Sequence, residues 1–226
     1  MRAVVLQVTS KVYRVPVEET NGNIYFYVQG DGLIIIDAGI PGKDGLVLES
    51  IRSLGFSPSQ VKAIVLTHYH LDHSGSANAI RSATGAKIYV HRDDAPILEG
   101  LVPPQLPKEA PREAVEAYRW FKPVRPDAIL NDGDEVHGLR VIHAPGHTPG
   151  SIALYDGEHL FAGDNLNFRD GKVQGPPPLF TADMQRARES VRRLLSLDFR
   201  VLLPGHGEPV VGDASARARR DLRGLL

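Results

Sequence analysis

The feature that most constrains this chain is a short apolar strand followed at once by a potential metal ligand, a pairing that occurs four times. Each predicted strand runs into a turn that presents histidine or aspartate. The pairs are 63–66 with His68, 141–142 with His147, 160–162 with Asp164, and 201–203 with His206. Ligands at the carboxyl ends of neighbouring strands can converge, because strands supply rigidity and loops supply side chains. The sequence therefore predicts one shared site at one edge of a sheet.

The first of these turns carries the densest set of ligands, His68-x-His70-x-Asp72-His73. In an extended loop, residues two apart point the same way, so His68 and His70 can bind one metal together. Asp72 and His73 are adjacent and diverge, which suits a second, neighbouring metal. Imidazole and carboxylate ligands suit zinc, iron or manganese, and a chain with no cysteine has no thiolate site.

These motifs resemble the four metal-binding motifs of the metallo-β-lactamase superfamily, in that family's order. They are the His-x-His-x-Asp-His segment, Gly146-His147, Gly163-Asp164 and Pro204-Gly205-His206. The apolar strand 33–36, with Asp37-Ala38-Gly39 after it, resembles a landmark that precedes the histidine motif there. The resemblance implies an α/β (α+β) fold, a four-layer αββα sandwich with the metals at one edge.

The resemblance also implies a role for each ligand. One metal would be held by His68, His70 and His147, and the other by Asp72, His73 and His206. Asp164 would bridge both. Two divalent ions are therefore expected, with zinc first and iron or manganese as alternatives.

Such a centre predicts hydrolysis. A metal-bridging hydroxide would be the nucleophile, because metal-bound water loses its proton near neutral pH. The remaining positive charge would polarise a carbonyl or phosphoryl oxygen and stabilise the developing oxyanion. Asp72 would orient the nucleophile or accept a proton. The expected substrate is a small molecule with an ester, thioester, lactone or related acyl bond.

The residue at the bridging position limits which activity of the resembled superfamily is expected for this chain. Asp164 argues against antibiotic hydrolysis, because true β-lactamases of that fold do not use a bridging aspartate. Glyoxalase II uses a helical C-terminal extension, for which the chain after His206 is short. Quorum-quenching lactonases carry a tyrosine soon after this aspartate, where this chain has Asn167 and Phe168.

Two other hypotheses stay open at this point. One is a mononuclear iron enzyme that resembles the persulfide dioxygenases, because relatives with intact ligands can hold a single iron. The other is a non-catalytic metal-binding domain. Metal content and oxygen uptake separate the first from a hydrolase, and turnover on a broad substrate panel separates the second.

Several further residues are candidates for contact with the ligands or with substrate. Asp37 would orient a ligand histidine or cap a turn. Tyr69, between two ligands, would face substrate or pack sideways. Asn167 and Phe168 follow the bridging aspartate and complete this set. No role is expected for the remaining histidines, which are His91, His137, His143 and His159.

Hydrophobic periodicity predicts sheets with interspersed helices. Strands are expected at 3–9, 12–16, 24–28, 33–36, 63–66, 87–90, 140–143, 151–155, 159–162 and 201–203. Helices are expected at 44–54, 74–83, 112–121, 182–196 and 213–225. Ser74-Gly75 would begin the second helix, and Thr181 would cap the fourth. Turns are expected at Asn21-Gly22 and at 30–32.

Residues 96–127 differ from the rest because they hold seven prolines. They predict a lid-like excursion from a single domain that spans residues 1–226. Trp120 and Phe121 are expected to anchor its short helix to the core rather than to line a pocket. The stiff loop 175–180 is expected to be a plain connector.

Composition limits the possible partners. The formal net charge of −1 gives no bulk attraction to nucleic acid or to anionic membranes. No segment approaches the roughly 20 apolar residues that span a bilayer. A small-molecule substrate and a cytoplasmic location are therefore expected, and the oligomeric state stays open.

Overall fold

Two β-sheets lie face to face in a computed structural model of the chain, which describes residues 4–224. The first sheet runs in chain order: β1 (Leu6–Gln7), β2 (Val12–Val17), β3 (Gly22–Gln29), β4 (Gly32–Ile36), β5 (Val61–Val65), β6 (Lys87–His91) and β7 (Ala128–Leu130). Strands β1 to β4 pair antiparallel, whereas β4 to β7 pair parallel. The parallel half therefore ends at one common edge.

The second half of the chain forms the second sheet and a small hairpin. Its strands are β8 (Glu135–Val136), β9 (Leu139–His143), β10 (Ile152–Tyr155), β11 (His159–Gly163), β12 (Asn167–Arg169), β13 (Lys172–Gln174), β14 (Val201–Pro204) and β15 (Val210–Val211). The sheet order is β15-β14-β11-β10-β9-β8, and β12 pairs with β13 alone. Strands β9, β11 and β14 run the same way, because β10 is antiparallel to β9 and β11 while β14 is parallel to β11.

The helices alternate with these strands along the chain, and the last of them follows β15. They are α1 (Asp44–Ser53), α2 (Leu71–Ser74), α3 (Ala77–Thr84), α4 (Ala95–Leu98), α5 (Arg112–Ala117), α6 (Met184–Leu195) and α7 (Ala214–Asp221). Within residues 4–224, none of them has the length and apolar character that crossing a membrane would require.

Three apolar clusters separate four layers and explain the composition of the strands. In β4, Leu33 and Ile35 face the cluster that also contains Ile51 of α1, while Ile34 and Ile36 face the second sheet. Side chains alternate between the two faces of a strand, so a strand covered on both faces is apolar throughout.

The second sheet repeats this arrangement. Phe161 and Leu203 point into the cluster between the sheets, while Leu160 and Leu202 point to the outer cluster with Leu194 of α6. The expected αββα sandwich is therefore confirmed.

Helix boundaries near the predicted site differ from expectation. The helix predicted to begin at Ser74 instead starts as α2 at Leu71, and α3 begins separately at Ala77. The Ser74 hydroxyl donates back to the carbonyl oxygens of Tyr69 and His70, at 2.9 and 3.1 Å, and so competes with the backbone hydrogen bonds of this turn. Asp72 and His73 consequently lie on a helical turn rather than in an extended loop.

The capping prediction at Thr181 is wrong. Asp183 caps α6, because its side chain accepts from the N–H of Arg186. The Thr181 hydroxyl donates instead to the carbonyl oxygen of Pro177, at 2.7 Å. Helix α7 ends at Asp221, and residue 225 of the predicted helix lies outside the described residues.

Among the strands, the largest difference is at 3–9, which reduces to Leu6–Gln7, with residue 3 outside the described residues. Both residues of β1 are exposed at the edge of the sheet, so burial of apolar side chains does not stabilise a longer strand there. The other predicted strands are present within two residues at each end, and the turns at Asn21-Gly22 and 30–32 are confirmed. Strands β7, β8, β12, β13 and β15 were not predicted.

The proline-rich excursion (residues 96–127) is folded back on the first sheet. Its predicted helix 112–121 is α5 followed by a 3₁₀ turn at Tyr118–Trp120. A backbone bond from Val124 N–H to Leu98 O closes its base at 2.8 Å. Phe121 packs on the core as expected, but the expectation for Trp120 is wrong, because Trp120 is 85% exposed.

Candidate metal centre

The carboxyl ends of β5, β9, β11 and β14 meet at one edge of the sandwich and bring the predicted ligands together. Three overlapping groups can each hold a metal ion, and within a group the candidate ligand atoms lie within 4.8 Å of one another. The groups contain all seven predicted ligands, which are His68, His70, Asp72, His73, His147, Asp164 and His206.

His68, His70 and His147 form what we call the three-histidine group. Their ring centroids are 4.6–4.7 Å apart and their planes are nearly perpendicular. The Nε2 atoms of all three are buried without a hydrogen-bond partner among the described residues, as is Oδ1 of Asp164. An unpaired buried polar atom costs about 1–3 kcal/mol, so three imidazole nitrogens that all lack a partner within one group point to a ligand that they would share. The donor set therefore fits a metal ion.

Asp72, His73 and His206 form the mixed group. The Nε2 atoms of His73 and His206 are 3.3 Å apart, and Oδ2 of Asp72 lies 3.7 Å from the first and 3.2 Å from the second. Ligands of a tetrahedral zinc ion are separated by about 3.4 Å, given bonds of about 2.0–2.1 Å. The spacing in this group is close to that value.

Asp164 lies between the two groups. Its Oδ1 is 3.4 Å from Nε2 of both His73 and His206, and its Oδ2 is 3.4 Å from Nε2 of His147. Gly205 permits this position, because a Cβ atom there would lie 2.1 Å from Oδ1 of Asp164. Each group thus meets a different oxygen of one carboxylate.

Hydroxyl groups orient two of the rings in the three-histidine group. The Thr67 hydroxyl donates to Asp37 and lies 3.0 Å from Nδ1 of His68. The Thr181 hydroxyl donates to Pro177 and lies 3.1 Å from Nδ1 of His147. Each hydroxyl gives its hydrogen elsewhere, so each accepts from the ring. Nδ1 therefore carries the proton, and Nε2 presents its lone pair to the centre.

Acceptors orient the rings of the mixed group in the same way. Nδ1 of His73 is 2.8 Å from Oδ2 of Asp37, and Nδ1 of His206 is 3.0 Å from the carbonyl oxygen of Thr20. Asp37 is buried and has a φ of 62°, a conformation that costs a non-glycine residue free energy. Its carboxylate also accepts from the N–H of Thr67, at 2.7 Å. Asp37 therefore contacts His73 of the mixed group directly, and it contacts the three-histidine group through Thr67.

Asn167 and Phe168 support the loop of His206. The side-chain oxygen of Asn167 accepts from the N–H of His206 at 2.9 Å, and the Phe168 N–H donates to His206 O at 3.0 Å. On the other side, Asn23 of β3 donates to the carbonyl oxygens of Pro204 and Gly207. The loop is consequently held by the β12–β13 hairpin on one side and by the first sheet on the other.

Tyr69 packs sideways, away from the centre. Its side chain is 1% exposed, and its hydroxyl donates to the carbonyl oxygen of Gln105 while accepting from the N–H of the same residue. Burial, followed by the charge of Asp94, raises the pKa of Tyr69. Tyr69 therefore contacts the excursion instead of the open face of the site.

Burial keeps the three-histidine group neutral at pH 7. It lowers the pKa of His70 to about 3 and that of His147 to about 4, and it lowers the pKa of His68 well below its usual value. Neutral imidazole is the form that binds metal ions.

The mixed group has the opposite balance. Burial opposes protonation of His206, but the Asp164 carboxylate outweighs it and raises the pKa of His206 to about 10. For His73, burial is likewise outweighed by Asp72, Asp37 and Asp164, which raise its pKa well above the usual value. Without metal, protons on these rings balance the carboxylates.

A further group of His91, Asp93 and His143 also brings ligand atoms together. Its geometry differs, because the two rings stack 3.8 Å apart at an interplanar angle of 17°. Two imidazoles on one metal ion have ring centroids about 5 Å apart, given zinc–nitrogen bonds of about 2 Å. A stacked pair cannot direct both nitrogens at one ion without moving apart.

Sequence reasoning missed several residues that touch the ligand loops. Thr67 directly precedes the first ligand, and that adjacency is a usable signal. No sequence signal marked the contacts of Thr181 and Asp94, because these residues reach the ligand loops only through the tertiary fold. The loop 175–180, expected to be a plain connector, leads into Thr181 and so into the support of His147.

Comparison with known proteins agrees with this geometry. The model of the metallo-β-lactamase superfamily matches residues 17–206. The probable metallo-hydrolase YflN of Bacillus subtilis (strain 168) is 30% identical, over 84% of this chain and 82% of its own.

Solved structures give the same result. TTHA1623, determined in a di-iron-bound form, is 30% identical with a TM-score of 0.66, and the match covers 96% of this chain and 98% of TTHA1623. The metallo-β-lactamase family protein TTHA1429 from Thermus thermophilus is 26% identical with a TM-score of 0.73, over 95% and 79% of the two chains. With its four-layer fold and its four ligand-bearing turns, this chain belongs to the metallo-β-lactamase superfamily.

Proposed function

We propose that this chain is a binuclear metal-dependent hydrolase that cleaves an ester, thioester, lactone or related acyl bond of a small molecule. The observation that carries the proposal is the position of Asp164. One of its oxygens faces the three-histidine group and the other faces the mixed group. A bridging carboxylate between two complete ligand groups is suited to two metal ions.

The residues of the site fall into metal ligands and residues that orient those ligands. His68, His70 and His147 would hold one divalent ion, and Asp72, His73 and His206 the other, with Asp164 shared. Bound divalent ions would supply a water activated at neutral pH and positive charge for the developing oxyanion. Asp37, Thr67 and Thr181 hold the rings with Nε2 inward, which limits reorganisation during reaction.

Substrate is expected to approach on the side of the mixed group. The side chains of Asp72 and His206 are 30% and 20% exposed, whereas His147 is fully buried. Asp72 would therefore orient the attacking water or take up its proton. A depressed Asp72 pKa, held down by His73 and His206 against the effect of burial, keeps that carboxylate ionised.

The relatives support a metal-dependent hydrolase but leave the metal open. YflN is described as a probable metallo-hydrolase, and TTHA1623 binds two irons. Zinc remains our first proposal, because imidazole and carboxylate ligands in near-tetrahedral spacing suit it, and iron is the alternative that the comparison favours.

The test is turnover on a panel of small esters, thioesters, lactones and phosphodiesters, before and after removal of metal with a chelator. We expect hydrolysis of an acyl substrate that chelation abolishes and added metal restores. Asp72→Ala should lower kcat, while Asp93→Asn, which changes an exposed carboxylate beside His91 and His143, should not. Failure to hydrolyse any acyl substrate would contradict the proposal, as would oxygen uptake with a persulfide by protein that holds a single iron.

A further inference from the structure

Asp94 is a buried carboxylate for which the mechanism above has no use. It lies just before α4 and is 0% exposed. Its Oδ2 accepts from the N–H of Tyr69 at 2.9 Å and from the hydroxyl of Thr148 at 2.8 Å. Its Oδ1 accepts from the N–H of Gly150 at 2.6 Å. All three partners are donors, so the site suits a group that only accepts.

These partners lie on two different ligand loops. Tyr69 sits between His68 and His70 on the loop after β5, in the first sheet. Thr148 and Gly150 follow His147 on the loop after β9, in the second sheet. Strands β5 and β9 do not pair, and the ends of the two loops are joined by a backbone bond from the Ile152 N–H to the Thr67 carbonyl oxygen, at 2.9 Å. Asp94 joins them directly.

The packing around Asp94 leaves little tolerance. A Cβ atom at Gly150 would lie 2.5 Å from the backbone nitrogen of Asp94 and 2.7 Å from its carboxyl carbon. The loop of His147 therefore approaches Asp94 as closely as its backbone allows. A shift of either loop would change the distances among the three Nε2 atoms.

The mixed group depends on other supports. His73 is held by Asp37, and His206 is held by Thr20 and Asn167. None of these contacts involves Asp94. A change at Asp94 should therefore reach the two groups unequally.

We propose that Asp94 is a positioning residue that fixes His147 relative to the His68–His70 pair. It thereby sets how much more tightly the three-histidine group binds a metal ion than the mixed group does. The inference rests on the proposed binuclear centre and adds a determinant of its selectivity. A purely structural role would lower stability without changing the ratio of the two metal affinities, and this difference makes the proposal testable.

The experiment titrates metal-free, full-length protein with cadmium and follows the two sites by cadmium NMR, with chelator competition for the affinities. Asp94→Asn keeps the size of the side chain, but the new amide N–H₂ group must face at least one of the three hydrogen-bond donors that surround Asp94. Asp156→Asn is the control, because the Asp156 side chain is only 7% exposed and its carboxylate also accepts backbone N–H groups, from Glu158 and His159, away from the site. Thr148→Val removes one of the three bonds and is a milder variant.

We expect Asp94→Asn to weaken the three-histidine site on the order of tenfold, with a change of less than about threefold at the mixed site. Thr148→Val should shift the same ratio by less, and Asp156→Asn should leave it unchanged. An equal loss at both sites, or none, in Asp94→Asn would overturn the proposal. If that variant does not fold, an unchanged ratio in Thr148→Val would overturn it. Fewer than two cadmium sites in the wild-type protein would contradict the binuclear centre itself, and the inference with it.

Discussion

At the scale of single residues, the site is organised by carboxylates that each contact more than one loop. Asp164 faces both ligand groups, and Asp37 supports His73 directly and His68 through Thr67. For Asp164, burial opposes ionisation, but His206 and His73 outweigh it and hold the pKa of this carboxyl well below its usual value.

Asp164→Asn should uncouple the two metal sites. The amide nitrogen would face either His147 or the pair of His73 and His206, so one group would lose its shared ligand. We expect about one metal per chain in place of two and a fall in kcat/KM of about 100-fold or more, which is about 2.7 kcal/mol of transition-state stabilisation. Elemental analysis and kinetics check this. A variant that retains two metals and full activity would remove Asp164 from the bridging role.

The pKa values predict that the two sites respond differently to pH. At pH 7 the three-histidine group is neutral, because His70 and His147 have pKa values of about 3 and 4. The mixed group carries protons, because the pKa of His206 is about 10 and that of His73 is well above normal. A raised pKa means that a metal must displace a proton, so affinity at the mixed site should increase about tenfold per pH unit for each proton released.

Calorimetry in buffers of different ionisation enthalpy measures these protons. Between about pH 6 and 8, the first site should fill with no proton release and the second with release of one to two. Equal proton release at both sites would contradict the charge distribution described above.

At the scale of elements, the ligand loops are predictable because each follows its own strand within a few residues. His68, His147, Asp164 and His206 each follow a buried apolar strand, which is a local pattern. The contacts between loops are not local. Asp94 meets Tyr69 25 residues away and Gly150 56 residues away, and nothing in the sequence between them signals either contact.

The excursion shows the same limit. Its prolines predicted an irregular segment, and its closure against α3 depends on single side-chain contacts with backbone. Asn78 donates to Pro123 O at 2.9 Å, and Arg81 donates to Arg125 O at 2.7 Å. The exposure of Trp120 was not predictable, because an aromatic side chain near a helix usually packs inward.

Tyr69 is the residue through which the metal loop holds the excursion. Tyr69→Phe removes the hydroxyl that both donates to and accepts from Gln105. A loss of about 1–2 kcal/mol would raise the open population of the segment roughly five- to thirtyfold. Limited trypsin digestion should therefore cut faster after Lys108 and Arg112.

Tyr27→Phe is the matched control for this variant. It also removes one buried hydroxyl contact, to Asp156 at 3.1 Å, but far from the excursion along the chain. Equal cleavage rates after Lys108 in the two variants would show that Tyr69 does not hold the segment.

At the scale of the whole molecule, the metal centre joins the two sheets. His68, His70, Asp72 and His73 follow a strand of the first sheet, whereas His147, Asp164 and His206 follow strands of the second. Hydrophobic periodicity predicted sheets covered by helices, and the resemblance of the ligand motifs to those of a known family implied the four-layer αββα order. The loop contacts across the sheets could not be predicted from these patterns.

Metal binding should consequently stabilise the sandwich as a unit. Free metal at about 1,000 times the dissociation constant adds about 4 kcal/mol, which raises the melting temperature of a chain of this size by about 10 °C. Scanning calorimetry with and without chelator measures the shift. No difference between the metal-loaded and metal-free proteins would contradict a centre shared between the sheets.

The central claim is that this chain holds two metal ions at one carboxylate-bridged centre. Elemental analysis of protein purified without added metal tests it most directly, read as moles of each metal per mole of chain. We expect close to two per chain, as zinc or, alternatively, iron or manganese. A value that stays at one or below after equilibration with zinc, iron and manganese in turn would contradict the account.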